Sequence, residues 1–390
     1  MTDVAAPAGS ARPCAGIPRC PHRPPCLACP RFGDPGLDPR ARTALDDLAR
    51  AHGLPPVEVV TGALAGFRHR ARLAIRGRMA AAKLGLFEPG SHRVVHIPEC
   101  SVQHPLINRV AAIVRSALID ARVSSYSEAA HAGLARYLQV VVERASQTAQ
   151  VVLVGNAESP AALAGALDLI RERCGRDLHS LWFNANTARG NAILGGHFER
   201  WHGPDAVVEH FGGAAIHYPP GAFGQSNLEI AARIIAYLRG LVPPGAAVAE
   251  FYAGVGAIGL SLLARIGELR CNESSPWSLQ GLERGLAQLD AASRARVSVV
   301  PGAAADACSM AEGAQVVIVD PPRRGLDAGL LQHLCTRPPQ RVIYVSCGLS
   351  SLLQQSAQLH TAGLRLRQLR AFNLLPFTDH VEAVACFDRA

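Results

Sequence analysis

The sequence predicts an α/β protein whose C-terminal half is a doubly wound, mainly parallel sheet. Two observations carry this. From about residue 219, short apolar runs alternate with helical patterns in strict order. The first run ends in a glycine-rich turn, Ala253-Gly254-Val255-Gly256-Ala257-Ile258-Gly259, that opens a helix. Before residue 219 the order is less regular and reads as a smaller α+β unit behind a cysteine-bearing segment.

Three parts follow. Residues 1–55 are rich in Pro, Ala, Gly and Cys and end in a helix over Arg40–Ala51. Residues 56–218 carry strand-like runs at Val57–Val60, Ala71–Ile75, Tyr137–Val142, Ala149–Val154 and Leu181–Asn184, with helices over Val110–Asp120 and Pro160–Glu172. Residues 219–390 predict seven strands: Ala247–Tyr252, Glu268–Cys271, Val297–Val300, Val316–Val319, Val342–Val345, Arg365–Arg370 and Val381–Phe387. The last follows its predecessor through a short loop, without a helix.

Composition excludes several classes. With 49% hydrophobic and 18% charged residues the 390-residue chain is globular and not disordered. It has no run of about 18 uncharged apolar residues, so it predicts no membrane span, and no apolar N-terminal stretch that reads as a signal, which makes a cytoplasmic monomer the expectation. In that compartment the 11 cysteines point to metal binding or catalysis rather than disulfides. The net charge is +8, carried by arginine; Lys83 is the single lysine. This excess fits a polyanion such as RNA, or equally a mildly basic surface written by a GC-rich genome.

The candidate chemistry clusters at the C-terminal ends of the predicted strands, where open α/β sheets bind ligands. Glycines at 254 and 256 let the backbone approach a ligand. Glu250 ends the first strand, and Glu273 follows the second, where a carboxylate can meet ribose hydroxyls. No Walker lysine follows, which excludes a phosphate-gripping loop. Asp320-Pro321-Pro322-Arg323-Arg324-Gly325 follows the fourth strand as a stiff acidic turn. Cys347 ends the fifth, a candidate nucleophile. Glu382 interrupts the apolar last strand, where a carboxylate is costly unless used.

Upstream, Cys20, Cys26 and Cys29 have the spacing C-x5-C-x2-C, and Cys100 stands apart. Four thiolates can hold an iron–sulfur cluster or zinc, and Cys14 can substitute for a ligand. In the strip Phe67–Arg78, Arg68, Arg70, Arg72, Arg76 and Arg78 share one face at strand spacing.

Phe223-Gly224-Gln225-Ser226-Asn227, Glu250–Gly256, Asp320–Gly325, Ser346-Cys347 and His380-Val381-Glu382 occur in this order. In order and spacing they resemble the S-adenosylmethionine-dependent RNA uracil-5-methyltransferases. The resemblance implies a class I, Rossmann-like methyltransferase sheet. It places the methyl donor on Gln225, Glu250, Tyr252, Gly254, Gly256, Glu273 and Asp320, and implies Cys347 as nucleophile and Glu382 as base. Cys20, Cys26, Cys29 and Cys100 resemble the [4Fe-4S] ligands of the family's ribosomal branch, and Arg68, Arg70 and Arg72 fall in its RNA-contacting segment. Only 19 residues precede Cys20, so the oligonucleotide-binding TRAM barrel of longer relatives is not expected. One departure stands at Pro301–Asp306, where many relatives carry an Asp or Asn facing the adenine; Asp306 is the candidate replacement. The implied substrate is a uridine of 23S rRNA, with the T-loop uridine of tRNA as alternative. A non-catalytic iron–sulfur RNA-binding protein is the alternative of another class.

Overall fold

The computed structural model describes residues 16–390, so Cys14 lies outside the described residues. Helix α1 (Pro39–Ala51) and strand β1 (Glu58–Val60) follow the cysteine segment. The central unit comprises β2 (Arg70–Arg78), β3 (Ala81–Phe87), β4 (Val94–His96), α2 (Pro105–Asp120), β5 (Ala135–Glu143), β6 (Thr148–Gly155), α3 (Ala164–Cys174), β7 (Leu178–Ala185) and β8 (His197–His202). A hairpin, β9 (Val207–Phe211) and β10 (Ala214–Tyr218), leads to α4 (Leu228–Leu241). The C-terminal unit runs β11 (Ala247–Phe251), α5 (Gly259–Leu262), β12 (Glu268–Glu273), α6 (Pro276–Ala287), α7 (Ala291–Ala295), β13 (Val297–Pro301), β14 (Val316–Val319), α8 (Ala328–Thr336), β15 (Arg341–Ser346), α9 (Leu349–Thr361), β16 (Leu364–Phe372) and β17 (Glu382–Arg389).

The C-terminal sheet has the order β1-β16-β17-β15-β14-β11-β12-β13. Only β17 runs antiparallel, between β15 and β16. Strand β14 is apolar throughout, and β15 is buried from Val342 to Ser346, because helices cover both faces. The seven expected strands are present, but the sheet has eight. The run expected in the central unit, Val57–Val60, instead joins the outer edge of this sheet, pairing in parallel with β16. Three residues cannot advertise their partner from pattern alone, so tertiary contact decides.

Helix α1 also belongs here. Asp38 caps it, its side chain accepting from Arg40 and Ala41 amides, and Pro39 supplies the preset first-turn φ. Its buried stripe of Ala41, Leu45 and Ala49 packs on the sheet face formed with Val317, Val342, Tyr344 and Phe387.

The central sheet has the order β4-β3-β2-β5-β6-β7-β8, with α2 and α3 on one face around Ile107, Val110, Leu138, Val151 and Ile170. Among the described residues, no helix is long and apolar enough to cross a membrane.

Leu45 is fully buried at the α1–sheet junction. Leu45→Ala should cost about 2–5 kcal/mol, read as a lowered denaturant midpoint with the slope unchanged.

Candidate active site

The site lies where the carboxyl ends of β11, β12, β14 and β15 meet the amino end of the antiparallel β17. In the β15–β17 register Ser346 faces Ala383. Cys347 follows Ser346, and Glu382 precedes Ala383 and pairs with Phe372 on its other side; the Glu382 charge acts directly on the Cys347 thiol.

The turn that carries Cys347 is stitched to the acidic loop after β14. Ser346 Oγ accepts from the Gly348 amide at 3.2 Å. Ser351 Oγ donates to Arg323 O at 3.0 Å. A Cβ on Gly348 would fall 2.3 Å from Arg323 O, so only glycine permits this approach. Gln355 holds the far end of the same loop: its Oε1 accepts from Leu326 N at 3.0 Å and from the Tyr344 hydroxyl at 2.7 Å.

Electrostatics at this edge are dominated by burial. Glu382 is 3% exposed and its Oε1 has no hydrogen-bond partner. Desolvation and the neighbouring Asp320 raise its pKa well above the ordinary carboxylate value, against a small opposing pull from Arg323. Burial pushes Asp320 up to about 7. The Cys347 thiol is pushed up to about 11, by burial first and by the charges of Glu382 and Asp320 next, with Arg323 drawing it down. Arg323 thus faces all the reacting groups, and its Nη2 lies 3.0 Å from His380 Nε2. The sequence quoted Arg323 within its motif but gave no sign that it would serve as the cation of the site.

The glycine loop forms a second cluster on the adjoining strands. Glu273 closes it, accepting from Gly254 N at 2.7 Å, Ser274 N at 2.8 Å and Ser275 N at 2.6 Å. Gly254 and Gly256 take φ of +59° and +82°. Tyr252 adopts φ +59° without being glycine, and its hydroxyl accepts from Asp327 N at 3.0 Å. Such strain persists only where surroundings enforce it. Glu250 is 1% exposed and sits beneath the loop, against the Gly259 backbone and the Cys271 thiol, 3.8 Å away. Burial, then Asp320, lifts it to about 8.

Gln225 is half-buried and lines a recess with His69, Arg70 and Tyr218. Its neighbour Phe223 is 67% exposed. Asp306 is exposed on a short 3-10 helix after β13, where nothing directs it inward. The end of β13 is held instead by Asn272, whose Nδ2 donates to Val300 O and Gly302 O, both at 3.0 Å.

Cys20, Cys26, Cys29 and Cys100 line one cavity of about 110 Å³, as their sequence grouping implied. Among the described residues no three His, Cys, Asp or Glu side chains are grouped to hold a metal ion. Arg68 stands against Cys29 and Cys100, largely buried and without a carboxylate partner among the described ion pairs. Most of the arginine strip is not a solvated face; of its arginines only Arg78, at its end, is exposed. Arg70 Nη1 donates to Ala222 O at 2.9 Å and Arg72 Nε to Gln139 Oε1 at 2.8 Å. Arg76 is buried against Glu128 and the rings of Phe87, Tyr126 and Tyr137. Alternation put these arginines on one face but could not show that internal partners occupy it.

A sheet of this order, with a glycine loop after its first strand and a thiol beside a carboxylate, defines a class I methyltransferase architecture. The tRNA (uracil-5-)-methyltransferase family model matches residues 311–390. Over 378 residues the chain is 34% identical to an uncharacterized RNA methyltransferase of Protochlamydia amoebophila, spanning 95% of this chain and 97% of that protein. An uncharacterized RNA methyltransferase of Lactococcus lactis is 26% identical over 86% of this chain and 73% of its own length. Among solved structures, the tRNA (uracil-54, C5)-methyltransferase of Pyrococcus abyssi in complex with S-adenosyl-L-homocysteine superposes with a TM-score of 0.72. That match has 23% identity and covers 89% of this chain and 83% of that one. The chain belongs to the RNA (uracil-5-)-methyltransferase family, and it is an enzyme of the methyltransferase class.

The raised thiol sets a pH dependence. Below about 11 the thiolate fraction of Cys347 grows tenfold per pH unit. Its alkylation by iodoacetamide, followed by peptide mass spectrometry, should therefore accelerate about tenfold per unit from pH 7 to 10. Arg323→Ala should shift that profile to higher pH. A profile already flat at pH 8 would contradict the raised thiol.

Proposed function

We propose that the protein transfers a methyl group from S-adenosylmethionine to C5 of a uridine in RNA, with large-subunit ribosomal RNA as the leading substrate. The observation that carries this is the buried, unpartnered Glu382 carboxylate beside Cys347. An orphaned carboxylate oxygen at 3% exposure is expensive to keep, and a base poised to take a proton accounts for it.

The chemistry requires both groups. Uracil C5 is too weak a nucleophile to attack a sulfonium methyl. Addition of the Cys347 thiolate at C6 forms an enolate with carbanion character at C5. C5 then takes the methyl, and the donor leaves as the neutral thioether. Glu382 accepts the C5 proton, the C5–C6 double bond re-forms and the thiolate departs. A uridine inside a helix cannot reach these groups, so the target nucleotide must be turned out of its stack. In the free site burial holds Cys347 and Glu382 toward their protonated forms, whereas this cycle needs a thiolate and an ionised base, and Arg323 is the group that draws both back toward ionisation. Glu382 is a strong base once ionised, and Arg323 offsets the charge gathered beside it. Gln225, Glu250, Tyr252, Gly254, Gly256 and Glu273 are the residues for the donor, with Asp320 meeting the donor or the target uracil.

The cysteine cavity fits an iron–sulfur cluster held by Cys20, Cys26, Cys29 and Cys100. Arg68 supports this reading: a buried cation lacking a carboxylate beside four thiols suits a net-negative tetrathiolate group. Zinc on the same four thiols is the alternative reading. The cluster supplies no redox step to methyl transfer, and its role would be structural. Its ribosomal-branch spacing is what favours rRNA over the tRNA T-loop.

Incubation with labelled methyl donor and separate rRNA and tRNA pools tests the substrate, and labelling of tRNA alone would overturn the rRNA reading. Cys347→Ala should abolish methylation and adduct formation. Glu382→Gln should methylate once and remain bound to RNA as a band that survives denaturation; normal release would move the base elsewhere, with Asp379 or His380 next. Protein purified without air should be brown, absorbing broadly near 400 nm and bleaching on oxidation. A colourless preparation with stoichiometric zinc would exclude the iron–sulfur cluster.

A further inference from the structure

Residues 373–381 form the loop that delivers Glu382 to the site, and few of its contacts are internal. From the α4 N-cap it receives Asn227 Nδ2, which donates to Leu374 O at 3.0 Å, while its own Asn373 amide donates to Val60 O of β1 at 2.9 Å. His380, near its end, meets Arg323. A further set of anchors comes from the cysteine segment. The Arg31 amide donates to Phe377 O at 3.0 Å. Asn373 Nδ2 donates to Pro35 O at 2.6 Å. The Phe32 and Phe377 rings lie 5.0 Å apart at a tilt of 44°. Phe67, Val102 and Phe377 form a small core of their own, against which Cys29, Cys100 and Phe32 pack.

Phe377 is the residue that most needs this support. It is fully buried yet adopts φ +68°. A bulky side chain keeps that left-handed geometry only when its surroundings impose it. Released from Phe32 and Arg31, Phe377 would keep only the packing of Phe67, Val102 and its own loop to hold it there. The chain from Phe377 to Glu382 is five residues, and Glu382 itself is fixed only by the first rung of its strand.

We infer that the cysteine segment positions the catalytic base: Arg31, Phe32 and Pro35 clamp the 373–381 loop and so hold Glu382 beside Cys347. Phe32 and Asn373 are positioning residues that touch no reacting atom. The inference rests on the assignment of Glu382 as base. It predicts a selective defect, in which the thiol still adds and the methyl still transfers, but proton removal and release slow.

The test uses the full chain with Phe32→Ala and, as a second variant that removes a single bond, Asn373→Ala. Methyl-donor affinity should stay within about twofold of wild type. The denaturation-resistant RNA adduct should persist, with release slowed about tenfold or more, as displacements near 1 Å cost up to about 10²-fold. Phe32→Leu should recover part of the release rate. Amide exchange read by mass spectrometry should accelerate across 374–383 and not across 341–346, in both alanine variants and in Cys29→Ser. Adduct clearing at the wild-type rate, an equal fall in addition and release, or unchanged exchange at 374–383 would each overturn the inference. Glu382→Gln is run in parallel. If it traps no adduct, the base assignment fails, and exchange at 374–383 alone then decides whether the clamp exists.

Discussion

The geometry of this protein turns on one antiparallel strand inserted into a parallel sheet. In an all-parallel sheet every strand presents its carboxyl end to the ligand edge. Because β17 enters reversed between β15 and β16, its first residue arrives at that edge instead. Cys347, just past the end of one strand, and Glu382, at the start of the next, are thus brought to the same edge by the last recorded pair of that ladder, Ser346 with Ala383.

The same edge concentrates buried carboxylates. Glu250, Glu382 and Asp320 all lose water there, and Asp320 raises the affinity of both glutamates for a proton. Arg323, at the rim, draws Glu382 and Cys347 back toward ionisation, and the turn that places it is sewn to the Cys347 turn through Ser351 and Gly348. Backbone of one loop packs against backbone of the other, so nucleophile and counter-charge move together.

Much of this was legible in the residues. The strands of the C-terminal sheet read clearly because apolar runs of four to six residues bounded by glycine, proline or acid have few other solutions. Glu382 stood out as the one charge in an apolar strand, and the family resemblance, rather than the spacing, grouped Cys100 with the other three cysteines. Three things were hidden. The β1 strand is too short to reveal which sheet it joins. The arginine strip showed its period but not its partners, since Gln139, Ala222 and Glu128 come from distant positions. Phe377 looked like any loop aromatic, because a left-handed φ in a bulky residue is imposed by tertiary contact and leaves no mark in sequence.

The seating of α1 and β1 on the last strands bears on the order in which the molecule is made. Domains of a nascent chain usually fold from the N-terminus as they emerge, but here Leu45 and Val57 find their core among Val342, Tyr344, Leu366 and Phe387. The opening segment must therefore wait, its apolar stripe uncovered, while the central sheet assembles alone. Only once the C-terminal sheet has formed do α1 and β1 find their place, and the catalytic edge is completed by its last strands, β16 and β17. Truncated products would consequently carry a folded middle but no working centre.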